Sequence, residues 1–141
     1  MELDIGSNII RNTSGVLDVA GKQQIFLEFD ERDRLLLTMD IYDSTGSHIA
    51  KLRRNAWAFN DKNRFTITTA PASLKLQDKE SGETVVEVNV IAKDKIQIHK
   101  GRFYTHTGDL LEITPKFWRV ASGITMSGNT FDSCGVAVAI R

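Results

Sequence analysis

The sequence has little with which to do chemistry locally. It holds one cysteine, Cys134, so no internal disulfide can form and the disulfide-stapled class of small secreted domains is excluded. A lone thiol suits a reducing compartment. There are two prolines, Pro71 and Pro115, and three histidines, His48, His99 and His106. None of the histidines stands at an H-x-H, H-x₃₋₅-H or HExxH spacing, and Cys134 has no C-x₂-C partner, so no metal site is expected from sequence-local ligands. Neither a Gly-x-Ser-x-Gly elbow nor a Walker or Gly-x-Gly-x-x-Gly loop is present, which leaves nucleophilic catalysis and classical nucleotide binding without a motif and implies no cofactor.

Charge of one sign is also missing. Eighteen Lys and Arg balance eighteen Asp and Glu. Bulk electrostatic attraction to nucleic acid or to an anionic membrane therefore has no basis here. No apolar run approaches the roughly 18 to 20 residues that span a bilayer as a helix. Met1-Glu2-Leu3-Asp4 carries acids where a targeting signal carries bases, so the expected location is cytoplasmic, with no membrane partner.

What is present is a period of two. Ile25, Leu27 and Phe29 alternate with polar or outward positions; so do Leu35, Leu37, Met39 and Ile41; Leu74 and Leu76; Val86, Val88 and Val90; and Ile96 and Ile98. Successive strand side chains point to opposite sheet faces, so each run reads as a half-buried strand. Asp30–Asp33, Asp43–Gly46, Asn60–Asn63, Asp78–Gly82 and Thr107-Gly108 supply turn chemistry between the runs. The expectation is a single all-β domain over 1–141, a meandering antiparallel sandwich or barrel of about nine to eleven short strands built from repeated hairpins. Thr114 as N-cap, Pro115 at the first position and Gly123 as a stop suggest one short helix near 115–121.

Two internal echoes stand out. Met39–Leu52 aligns with Leu74–Val88 after one inserted turn residue, the turn aspartates Asp43 and Asp78 lying 35 residues apart, and Phe103–Ile113 is a weaker third copy. The segments around Asn8 and Asn129 form the second echo, each running small, Asn, apolar, polar, Gly, Val. A lone rung of this sort cannot bury its own faces, so these ends must pack on the body, on each other, or on a neighbouring chain.

The densest candidate for function is Lys51–Phe65, with five basic residues, three aromatics and one acid. Arginines that hold an anion beside rings that stack are what single-strand nucleic-acid and other anionic-ligand surfaces use. Arg53, Arg54, Trp57 and Arg64, with Arg102 from the segment Lys100–His106, are the candidate ligand- or partner-binding residues. On the opposing reading Trp57 and Phe59 share an inward face, and the bases guard a sheet edge. The function expected is a non-enzymatic binding or assembly module, contacting a protein partner or a second copy, with a small anionic ligand or single-stranded nucleic acid as further partners. The alternatives are a small hydrolase or nuclease with a spatially assembled site drawing on His99, His106 and strand carboxylates such as Glu28, Asp30, Asp40 and Glu112, and a protein that sequesters a small anion.

Overall fold

The computed structural model describes the backbone of residues 2–5, 8–11, 15–19, 22–92, 95–113, 118–120, 130–131 and 137–140, and side chains within 22–90 and 98–113. It is all-β. Nine antiparallel strands run in one hydrogen-bonded path that curls into a nearly closed, barrel-like sheet, and six more strands branch from it.

Two meanders make up this sheet. The first comprises β3 (Gly15–Val19), β4 (Lys22–Phe29), β5 (Leu35–Tyr42), β6 (His48–Arg53) and β7 (Ala56–Asn60), each antiparallel to the next. After a 3-10 turn at Asp61–Asn63, the second comprises β8 (Phe65–Ala70), β9 (Ser73–Asp78), β10 (Thr84–Ala92), β11 (Lys95–Tyr104), β12 (Leu110–Ile113) and β13 (Trp118–Val120). The meanders join where Tyr42 of β5 pairs with Tyr104 of β11. At this junction β4 leaves β5, and the buried Gln24 amide fills the vacated position by donating to the Tyr104 carbonyl at 2.7 Å.

The alternation in the sequence becomes the core. Ile25, Leu27, Leu37, Met39, Ile41, Ala50 and Leu52 of the first meander pack against Phe65, Leu74, Leu76, Val86, Val88, Ile98, Phe103, Leu111 and Ile113 of the second in one continuous cluster. Each of these side chains other than Ala50 stabilises the fold by about 1.5–3 kcal/mol relative to exposure.

The chain ends also join the sheet. β1 (Glu2–Ile5) runs parallel to β11 and antiparallel to β2 (Asn8–Arg11), while β14 (Thr130–Phe131) pairs β15 (Ala137–Ile140), which pairs β3. Start and end of the chain thus meet within one molecule, at Val138↔Leu17. Asn129 lies outside the described residues.

Two expectations are corrected. Trp118–Val120 is a strand and not part of a helix; its pairing with Leu111–Ile113 satisfies backbone groups that a seven-residue helix could not hold against its nucleation cost. The rest of the expected helix, 115–117 and 121, lies outside the described residues. His99 and His106, which in the sequence read as flanking a hairpin that contains Arg102, Phe103 and Tyr104, do not do so, because Lys95–Tyr104 is one continuous ten-residue strand.

Candidate functional site

One five-residue turn recurs in three hairpins, and two of its copies lie at one end of the barrel. At 30–34, 43–47 and 105–109 the first residue's N–H donates to the fifth residue's carbonyl, and the fourth residue's N–H returns to the first residue's carbonyl. The fourth residue is left-handed each time: Asp33 at φ 58°, Gly46 at 84° and Gly108 at 84°. The first residue's side chain accepts from the turn. Asp30 Oδ1 takes the N–H groups of Arg32 and Arg34, and Asp43 Oδ1 those of Thr45 and Ser47, all at 2.9–3.0 Å. Thr105 Oγ1 takes that of Asp109 at 3.3 Å. The turn at 78–83 is the same device with one extra residue, as the sequence echo anticipates.

The Asp43, Asp78 and Thr105 turns gather around the mouth of the barrel, where a cavity of about 340 Å³ opens. Its floor is apolar: Ile41, Ile49, Phe65, Val85, Phe103 and Leu110. Ile49 and Val85 reach it through β-bulges. Register jumps from Ile41↔Ala50 to Tyr42↔His48, and from Thr84↔Gln77 to Val86↔Leu76, leaving Ile49 and Val85 as the extra residues. A bulge re-aims a side chain, and both of these turn toward the cavity.

The rim is charged and internally paired. Arg64 grips the buried Asp78 with a two-pronged contact, Nε to Oδ1 at 3.0 Å and Nη2 to Oδ2 at 2.8 Å, and its guanidinium lies 5.3 Å from the centroid of the Phe65 ring. Glu80 Oε2 stands 3.4 Å from Arg64 Nε. Arg102 Nη1 pairs with Glu83 Oε2 at 2.9 Å in an exposed bridge. Burial pushes the Asp78 carboxyl up, but the Arg64 guanidinium, the Glu80 N–H and the Ser81 hydroxyl outweigh it and hold the group below its ordinary value. The hydrogen bond to Asp78 raises Arg64, and that to Glu83 raises Arg102. The Thr45 hydroxyl, aided by the N–H groups of Ser47 and Thr45, lowers Asp43. The lining thus sets the carboxyl groups of Asp43, Asp78 and Glu83 beside the guanidiniums of Arg64 and Arg102.

Of the candidate residues, Arg64 and Arg102 line this mouth; Arg53, Arg54 and Trp57 do not. Arg54 and Asn55 form a two-residue turn with φ 48° and 65° between the paired Arg53 and Ala56. Arg54 donates its N–H to Thr38 Oγ1 at 3.1 Å, and its Nε lies 3.7 Å from Glu28 Oε1. Trp57 is half-buried against the core, its ring 6.4 Å from Phe65. Phe59 does not share that inward face. Leu52 pairs with Trp57 but Lys51 with Phe59, so Ala58 is a bulge and Phe59 emerges 44% exposed.

Two residues that sequence reasoning missed bracket β7. Asn55 acts as a strand would: its Oδ1 accepts from the Leu37 N–H at 2.8 Å and its Nδ2 donates to the Leu35 carbonyl at 2.9 Å. Asn60 does the same to Phe65, at 3.1 Å and 2.7 Å. Their signal is an Asn beside a basic or acidic turn residue, which also reads as ordinary turn chemistry.

His99 and His106, the pair on which the hydrolase reading draws, lie apart, whereas His48 and His106 both stand against Tyr42, with ring centroids 5.1 and 6.2 Å away. His99 and His106 are seven residues apart along and just past β11, about 20 Å at strand rise. The His/acid contact lies elsewhere, with His48 Nε2 2.9 Å from Asp40 Oδ1 and its ring stacked 5.1 Å from Tyr42. Among the described residues, no three His, Cys, Asp or Glu side chains group to hold a metal, and no helix is long and apolar enough to cross a membrane. Compared with known proteins, the chain matches no family model, no curated protein and no solved structure.

Proposed function

We propose that the chain is a non-enzymatic binding module whose ligand enters the barrel mouth. The observation that carries this reading is an apolar floor, re-aimed by two bulges, beneath a rim of ion-paired polar groups. Cavities of a few hundred Å³ with an apolar lining and a few placed polar groups are where barrels take small ligands. The excess of carboxylates favours a ligand that joins an apolar body to an ammonium or several hydroxyls over a phosphate-bearing one, single-stranded nucleic acid included. The exposed Arg102–Glu83 bridge is the rim contact such a ligand can most cheaply open, since exposed pairs contribute only about 0–1 kcal/mol. A cytoplasmic setting belongs to the same proposal and rests on the single thiol, Cys134.

The test is thermal stability in three arms: a cationic aromatic amine, a neutral disaccharide, and inorganic phosphate. A ligand at about a hundred times its Kd adds about 2.7 kcal/mol of stability. The amine or the disaccharide should raise Tm, and Ser44→Trp, at an exposed position on the rim, should abolish the rise. A flat response in all arms, or a rise that survives Ser44→Trp, removes the mouth as the site. A response to phosphate alone reverses the ligand polarity.

A further inference from the structure

The end of the barrel opposite the mouth carries a second cavity. β5, β6, β8 and β9 meet the mouth at Tyr42, Ile49, Phe65 and Asp78. At the other ends of the same strands, residues 34–36, 54–55, 69–71 and 73 enclose a cleft of about 510 Å³. Its charge is the reverse of the mouth's. Arg34 and Arg54 line it, and among the described residues no carboxylate does.

Both guanidiniums are held from one side only. Arg34 Nε donates to Asp30 Oδ2 at 2.7 Å, inside the five-residue turn whose amides Asp30 also secures. Arg54 Nε lies 3.7 Å from Glu28 Oε1. In each pair the carboxylate meets Nε and stays outside the cleft lining, while the Nη groups, which carry four of the five N–H donors, have no partner among the described residues. Neutral donors stand with them. The hydroxyl-bearing residues Thr69 and Ser73 line the same cleft. Asn60 bonds both the N–H and the C=O of Phe65, so these point away from β9, and alternation along the bulge-free register from Phe65↔Asp78 to Ala70↔Ser73 turns the Thr69 N–H the same way.

We infer that this cleft binds a phosphate dianion, either free or as the monoester of a small apolar group. The proposal is independent of the mouth cavity. Two guanidiniums match the charge of nearly two that a phosphate monoester carries at neutral pH. Their planar forks fit phosphate oxygens two at a time. The donors also outnumber what a carboxylate can use: two pairs of Nη groups, two hydroxyls and an amide face a group with about four lone-pair sites. Glu28 and Asp30 repel an anion, but each is already paired at an Nε. The cleft is larger than a phosphate alone, and Leu35, Leu36 and Pro71 give it apolar wall for an organic body.

The test is isothermal titration calorimetry with phenyl phosphate and inorganic phosphate as separate arms. Phenyl phosphate should bind one to one, equally in the wild type and in Ser44→Trp, whose mouth is filled. Arg34→Gln and Arg54→Gln should each weaken binding about 10- to 100-fold, as expected for a lost charge-assisted hydrogen bond. Arg53→Gln, outside the cleft, should leave it unchanged. Ala70→Trp, at an exposed position on the lining, fills the cleft without removing a charge and should abolish binding. Tighter binding of phenyl phosphate than of inorganic phosphate assigns the site to a monoester; equal or weaker binding assigns it to the free ion. Four results overturn the proposal: no saturation by either anion below about 1 mM, a loss in Arg53→Gln equal to that in Arg54→Gln, binding that survives Ala70→Trp, or binding lost in Ser44→Trp. A phosphate-induced rise in Tm that survives Ser44→Trp but not Ala70→Trp belongs to this cleft, and the amine and disaccharide arms still decide the mouth.

Discussion

Gly46 and Gly108 lie against each other's turns. A Cβ on Gly46 would stand 2.6 Å from the His106 carbonyl oxygen, and one on Gly108 would stand 2.9 Å from the Ser44 carbonyl oxygen. The two five-residue turns therefore dock backbone to backbone, next to the Tyr42↔Tyr104 pair that joins the meanders. Both glycines are also left-handed, at φ 84°.

Gly46→Ala and Gly108→Ala should each destabilise by about 2–5 kcal/mol, a left-handed cost of about 1–2 plus overpacking against backbone that cannot yield. Gly82 supplies the control. It has φ 75° but nothing within 4 Å of a built Cβ, so Gly82→Ala should cost only about 1–2 kcal/mol. In the double variant at 46 and 108 the second substitution should cost less than the first, because the turns are already apart; urea melts of the cycle measure the difference. Equal costs at 46, 82 and 108 would mean that strain alone matters and the docking of the turns contributes nothing.

The strands and most turns were legible because alternation and Asp/Gly turn chemistry are local signals. Leu37, Met39, Leu74, Leu76, Val86 and Val88 are buried where the period-two pattern puts them. The mouth was not legible, because its floor depends on Ile49 and Val85, which break the alternation through bulges that no local residue pattern announces. The same reason hid the outward turn of Phe59. Arg64 and Arg102 were recognisable as cations worth placing, but their partners Asp78 and Glu83 come from the β9–β10 hairpin, distant from both in sequence. The sequence therefore reads as a basic surface where the assembled rim is richer in carboxylates.

Asn55 and Asn60 replace backbone with side-chain amides, so their loss should cost more than a surface change. Asn55→Ala leaves the Leu37 N–H and Leu35 carbonyl without partners and puts Ala at φ 65°. A loss of about 2–4 kcal/mol is expected. Asn55→Gly restores the backbone freedom but not the hydrogen bonds, so it should recover only part of the loss. Hydrogen exchange should report faster exchange of the Leu37 amide in both variants. A fully recovered Asn55→Gly would show that only the conformation matters there.

Trp57 and Phe59, two residues apart, should respond oppositely to truncation. Trp57→Ala removes a ring packed against the core and stacked near Phe65, and should cost about 2–4 kcal/mol. Phe59 is 44% exposed and meets the His48 ring edge-on at 4.8 Å. Phe59→Ala should cost less than about 1.5 kcal/mol, a single partly exposed aromatic contact. Chemical denaturation of the two variants decides the matter. Similar losses would mean that the bulge at Ala58 does not turn Phe59 outward.

Acid should loosen the turns before anything else. The Arg34 N–H lowers Asp30 despite some opposing desolvation, the Thr45 hydroxyl and the turn amides lower Asp43, and Asp78 ends below its ordinary value because Arg64 and its turn outweigh burial. A carboxyl whose folded pKa lies below the unfolded 3.8 binds more protons in the unfolded chain near that pH. Its contribution is complete above 3.8 and is lost as pH falls through the folded value. Stability should thus be level from about pH 7 to 5 with respect to these groups and fall between about pH 4 and 2. Asp43→Asn retains an acceptor oxygen for the turn amides but not the charge. Its Tm should lie below the wild-type value at neutral pH, and the gap should close as acid protonates Asp43 in the wild type. A gap that stays constant across that range would show that the shape of the side chain, and not its ionised form, secures the turn.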